Sequence, residues 1–146
     1  MPFRDQPWDV FTADCPSRRA LSLIADKWTT LALHALGSGG VLRHAELRRR
    51  IEGVSDKMLT QTLRDLERNG LVQRTDHGVI PPRVDYALTP LGGTLQEAVS
   101  RLCGWVVENM DEIAAAQDAY DAGPQPDAPW QQARVPGPTC SRSTPA

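Results

Sequence analysis

Aromatic residues are scarce, at 5% of 146 residues, and cysteine is scarcer still, with Cys15, Cys103 and Cys140 far apart. Cysteines so spaced form neither a metal-ligand cluster nor a disulfide framework. No Gly-rich phosphate loop is present either, and no second Cys stands two or three residues from Cys15. Metal-dependent, nucleotide-dependent and thiol-turnover catalysis therefore lack their usual sequence supports, so no enzyme, cofactor or metal is expected. Long apolar runs are missing too: charge or Gly interrupts each of them well before the ~18 residues a membrane span needs. The opening MPFRDQPWDV has no basic segment followed by an apolar stretch, so neither a secretory leader nor a membrane partner is expected, and the protein is expected to be cytoplasmic.

What is present suffices for one packed core, with 40% hydrophobic and 23% charged residues. The net charge of −2 argues at first against a nucleic-acid partner, but its distribution argues the other way. Between Cys15 and Met110 thirteen Lys and Arg stand against ten Asp and Glu, whereas the two ends carry three against eight. A basic centre between acidic ends is compatible with a phosphate-backbone partner, and equally with a solvated surface mildly rich in Arg.

Residues 1–14 mix Pro, Asp and Gln with Phe3, Trp8 and Phe11 and read as an irregular arm. Residues 122–146 turn to Pro, Gly, Ala, Gln and Ser, a composition that buries too little apolar area to offset ordering, and read as a disordered tail. Residues 15–121 are left as a single domain. Pro16 suits a first helical turn, and Ala20, Leu21, Leu23 and Ile24 make a short apolar helix. Trp28, Leu31, Ala32, Ala35 and Leu36 recur at helical spacing up to a turn at Gly37-Ser38-Gly39-Gly40. A third helix is expected over Arg43–Ile51, burying Leu47 and Ile51. Gly53 breaks it, and Ser55 caps a fourth that ends at Asn69-Gly70. There Leu59, Leu63 and Leu66 form the buried stripe. The period then changes, predicting strands over Leu71–Thr75 and Arg83–Leu88 joined by a hairpin tip at 76–82. Thr89 caps a final helix from Pro90 to about Tyr120, roughly 45 Å long at ~1.5 Å per residue. Its stripe of Leu91, Leu95, Val99, Leu102, Val106, Met110 and Ile113, widened by Cys103, Trp105 and Val107, exceeds what one small core covers. A homodimer helix explains it, with Leu95, Val99, Leu102, Val106 and Met110 at the interface.

Helix, short helix, turn, polar-faced helix, strand, tip and strand make a mainly α (α+β) fold: a winged helix-turn-helix with a two-stranded wing and a long C-terminal dimerisation helix. A helix fits the major groove while the wing reaches the adjacent backbone or minor groove. The recognition helix is then 55–69 and the wing 76–82. Cys15-Pro16, Leu23-Ile24, Lys27-Trp28, Glu46-Leu47-Arg48-Arg49, Ser55-Asp56-Lys57-Met58-Leu59-Thr60, Leu63-Arg64-Asp65-Leu66-Glu67, Gly70-Leu71-Val72 and Pro81-Pro82-Arg83-Val84-Asp85-Tyr86, followed by Leu88-Thr89 and Leu91-Gly92, resemble the HxlR-type winged-helix regulators. That resemblance implies a dimeric bacterial transcriptional regulator without enzymatic activity, and in some relatives a sensing Cys at the position of Cys15. One departure is His44, where the family usually has an aromatic residue.

On the exposed face of the recognition helix Lys57, Thr60, Gln61 and Arg64, with Ser55 at its start, are the candidates for double-stranded DNA. Gln suits adenine, Arg or Lys suits guanine, and Thr suits a thymine methyl or a phosphate. Arg43, Arg48, Arg49 and Arg83 are candidates for phosphate contacts, with pairing to Glu46, Glu52 or Asp85 as the competing role. His77, at the wing tip, is a candidate for a narrow minor groove. Cys15 precedes a helix N-terminus, where Arg18 and Arg19 favour the thiolate and Asp14 opposes it, making redox or electrophile sensing a candidate role. Lys27-Trp28 reads as a structural pair. The competing functions are a winged-helix dimerisation or protein-interaction scaffold, and a regulator switched by a small-molecule ligand without thiol chemistry. The residues name no effector.

Overall fold

The computed structural model describes residues 7–123, so most of the expected tail, Cys140 and the first residues of the arm lie outside the described residues. By packing the chain divides into two units, one ending at Gly104 and the other beginning at Trp105. In the first, α1 (Pro16–Ile24) and α2 (Lys27–Gly39) precede a short strand β1 (Leu42–Arg43). Helices α3 (His44–Arg50) and α4 (Asp56–Arg68) follow, then β2 (Val72–Asp76), β3 (Val84–Leu88) and α5 (Pro90–Glu108), whose last turn enters the second unit. The second unit continues with α6 (Met110–Asp121). No helix of the described residues is long and apolar enough to cross a membrane.

Local chemistry fixes most boundaries. Asp26 starts α2 by accepting from the Trp28 and Thr29 amides at 3.0 and 3.2 Å. Lys27 Nζ lies 4.2 Å from the Trp28 ring centroid, a cation–π contact within the pair expected to be structural. Helix α2 does not stop at the Gly-Ser-Gly-Gly run but continues through Gly39, to end at Gly40 with φ +73°. Two physical reasons explain it. Ser38 Oγ turns back to the His34 and Ala35 carbonyls, and Gly37 and Gly39 lie where a Cβ would strike Gln96 and Leu42. Gly37 and Gly39 thus lie inside the helix against neighbouring side chains, and Gly40 makes the turn.

The core joins Ala32, Leu33 and Leu36 of α2 to Leu47, Ile51, Leu59, Leu63, Leu66, Val72 and Val99. Helix α1 buries none of its residues, and its Leu21 is exposed. The sheet has three strands, in the order β1-β3-β2 and all antiparallel, one more than the two-stranded wing expected. In it Leu42 pairs with Tyr86 and Arg43 with Asp85, while Val72 pairs with Leu88. At the far end Thr89 N donates to Leu71 O at 3.1 Å, and Thr89 Oγ1 donates to Gly70 O at 2.6 Å while accepting from Gly92 N at 3.0 Å.

The single long C-terminal helix is corrected by the structure. Asn109, at φ −106° and ψ 9°, separates α5 from α6, and its side-chain amide donates to Trp105 O at 2.8 Å. The Asn109 backbone amide donates to the same carbonyl at 3.0 Å, so the side chain adds a second donor there, and the break lies in the Asn109 dihedrals.

Candidate nucleic-acid interface

The site is built on α4. Ser55 Oγ accepts from Met58 N at 3.1 Å, so the helix begins at Asp56 and Leu59, Thr62, Leu63 and Leu66 turn inward. That phase sends Lys57, Gln61 and Arg64 to the opposite side, where all three are exposed. Lys57 and Arg64 have no ion pair among the described residues. Gln61 Nε2 donates to Asp65 Oδ1 at 3.1 Å, one turn on. Thr60, also on this side, is half-buried, and its hydroxyl lies 3.2 Å from His44 Nε2 on α3.

Helix α3 braces this arrangement through charge. Arg48 Nη1 donates to Asp56 Oδ2 at 2.8 Å, tying α3 to the first turn of α4. Arg49 is exposed and has no ion pair among the described residues, and Arg50 donates to Ser38 Oγ at 3.0 Å.

The hairpin behaves differently. Asp85, only 8% exposed, gathers three basic side chains around one carboxylate. His77 Nε2 lies 2.7 Å from its Oδ2, Arg83 Nη2 3.3 Å from the same oxygen, and Arg43 Nε 3.7 Å from its Oδ1. The hydrogen bond from His77 holds the Asp85 carboxyl below the usual carboxylate range, with help from Arg83 and against partial desolvation. The expectation that His77 occupies the wing tip is corrected here. Its amide donates to Arg83 O at 3.0 Å and its ring turns to Asp85, which places it at the neck of the loop, just beyond the last strand pair Asp76–Val84. The tip is Gly78 to Pro82, and its exposed side chains are apolar: Ile80 is 98% exposed. Sequence reasoning missed Val79 and Ile80, although the uncharged Gly-Val-Ile-Pro-Pro run was the available signal. It also missed Arg74, which lies 3.9 Å from Asp76.

Cys15 is the half-exposed N-cap of α1, with its thiol accepting from Asp9 N at 3.3 Å and 3.0 Å from Ser17 Oγ. The Ser17 hydroxyl and then the Asp9 and Ser17 amides pull its pKa below the ordinary thiol value, while Asp9 and slight burial oppose them. Of the opposing influences expected, the helix N-terminus acts through the Ser17 amide, while the Ser17 hydroxyl and the Asp9 amide take the place of Arg18 and Arg19, and Asp9 takes the part expected of Asp14.

Of the residues expected at a dimer interface, Val99 is buried and Leu95 packs against the same core, so both serve the chain's own interior. Leu102, Val106 and Met110 are exposed, as are Trp105 and Val107. Trp28 and Tyr86 pack on the core, and Cys103 joins them.

A family model described as HxlR-like helix-turn-helix matches residues 23–114. The chain belongs to this family. It is 43% identical over 110 residues to the HTH-type transcriptional regulator YtfH of Escherichia coli (strain K12), covering 75% of this chain and 86% of that one. Among solved structures, ytfH from Salmonella typhimurium superposes with a TM-score of 0.73 at 39% identity, over 76% of this chain and 98% of the other. The redox regulator HypR in its reduced form gives 0.62 at 33% identity, over 68% and 98%. These HxlR-like relatives support the resemblance carried by the motifs from Cys15 to Gly92 and the mainly helical fold with its small antiparallel sheet.

Proposed function

We propose that this HxlR-like chain is a sequence-specific transcriptional regulator that binds double-stranded DNA as a homodimer in the cytoplasm, with α4 in the major groove and the hairpin on the adjacent backbone or minor groove. The observation that carries the reading is the exposed row of Lys57, Gln61 and Arg64 on a helix capped by Ser55 and seated on the core by Leu59, Leu63 and Leu66. Two cations with no ion pair among the described residues suit phosphates or guanine, and an amide suits adenine. Arg49 and, to a lesser degree, Arg43 and Arg83 add phosphate contacts. Leu102, Val106 and Met110 support the second copy, because exposed apolar side chains in these numbers gain from burial against a partner.

The test is fluorescence anisotropy with a duplex enriched from a random pool by the full-length chain, repeated over a salt series. Affinity is expected to fall steeply with salt as bound phosphates release counterions. A flat salt response, or no enriched sequence, overturns the reading.

Switching by thiol modification at Cys15 is supported by the hydrogen bonds that favour its thiolate and by the likeness to the redox regulator HypR. Diamide is expected to change DNA affinity in the parent protein and leave Cys15→Ser unaffected. Affinity that diamide leaves unchanged in both would transfer control to a ligand without thiol chemistry, and an equal change in both would move the switch to Cys103 or Cys140.

A further inference from the structure

Among the described residues, Thr60 is the one candidate contact on α4 whose polar group is engaged by a side chain of another helix. Its hydroxyl has one proton and two lone pairs to offer. His44 Nε2, 3.2 Å away, takes up part of that capacity. On the other side of the ring Nδ1 lies 3.9 Å from Asp56 Oδ1, and Asp56 is itself held by Arg48 at 2.8 Å. A carboxylate on the Nδ1 side favours the tautomer with its proton there, which leaves Nε2 as an acceptor. Thr60 then donates its only hydroxyl proton to His44 and has none for a phosphate, for guanine O6 or N7, or for thymine O4. The remaining branch on its Cβ is a methyl group.

Building on the DNA-binding reading, we infer that His44 is a positioning residue that occupies the Thr60 hydroxyl and so makes Thr60 a reader of the thymine methyl group. An aromatic residue at position 44 would pack in the same place and leave the hydroxyl free, so the preference belongs to chains with a hydrogen-bonding side chain there.

The experiment uses the full-length chain and the duplex it enriches, with each thymine in turn replaced by deoxyuridine, which differs only in lacking the methyl. For the parent, one substitution is expected to weaken binding about fourfold, the effect of losing one buried carbon. Thr60→Val, which keeps a methyl and removes the hydroxyl, responds like the parent, and Thr60→Ser shows no response. His44→Phe reduces the response to below about twofold, but has no such effect in the Thr60→Val background. His44→Gln, whose amide occupies the place of Nε2, restores it. Thermal unfolding of each variant separates misfolding from altered reading. An enriched duplex in which no thymine responds, a Thr60→Ser variant that responds like the parent, or a His44→Phe variant that keeps the full response overturns the inference alone. If no duplex is enriched, the DNA-binding reading fails and the inference falls with it.

Discussion

Helix α4 and the β2–β3 hairpin each carry three basic residues, yet they use them in opposite ways. On α4, Lys57 and Arg64 point away from the core with no ion pair among the described residues. In and beside the hairpin, Arg43, His77 and Arg83 converge on Asp85. A charge without an internal partner is available for recognition, whereas one held by a nearly buried carboxylate mostly shapes the loop that carries it. Counting basic residues would rank the two regions as equals. Pairing separates a reading surface from a scaffold.

The contrast can be broken at its foundation first. Leu63→Ala removes a buried anchor of α4 and is expected to lower stability by about 2–5 kcal/mol, measured by urea unfolding. A much smaller loss would mean that α4 is not seated by its stripe. Next, Arg64→Ala is expected to weaken specific DNA binding by about 1–3 kcal/mol and to relax selectivity. Arg83→Ala should weaken it less, because Arg83 is engaged with Asp85; an equal loss in the two variants would erase the distinction. Ser55→Ala tests the cap, with an expected loss of about 1 kcal/mol in thermal or urea unfolding.

The smallest effect concerns acid. Because the Asp85 carboxyl is lowered in the folded protein, its stabilisation is complete above the ordinary carboxylate range and disappears as pH falls through its lowered folded value. The parent should therefore lose stability over that interval, and Asp85→Asn should lose less. Parallel acid curves for the two proteins would show that the carboxylate does not organise the hairpin.

What the sequence made legible was local. Ser55, the Leu59-Leu63-Leu66 stripe and Asn69-Gly70 mark both ends and the inner face of α4 within one short window, and the structure agrees with all three. Strand β1 was invisible because two residues carry no periodicity, and Leu42 and Arg43 become a strand only by pairing with Tyr86 and Asp85. His77 was misplaced for the same reason, since its partner lies eight residues away across the hairpin. The interruption at Asn109 involves no Gly or Pro, so neither of the usual helix breakers marked it in the sequence. Val99 lay on the expected stripe, but periodicity gives the apolar face of a helix and not what covers it. His44 could be flagged as a departure from the family pattern, whereas its contact with Thr60 required coordinates.

Thr89 has a mechanical consequence. Its hydroxyl grips the carbonyl of Gly70, immediately after α4, and the amide of Gly92 in the first turn of α5, while its own amide holds Leu71. Gly92 sits so near the Leu71 carbonyl that even a single added carbon would collide with it. The corner is welded, with no slack in which one rod could slide past the other. A tilt at the start of α5 therefore has to break these hydrogen bonds or carry the trailing end of α4 with it.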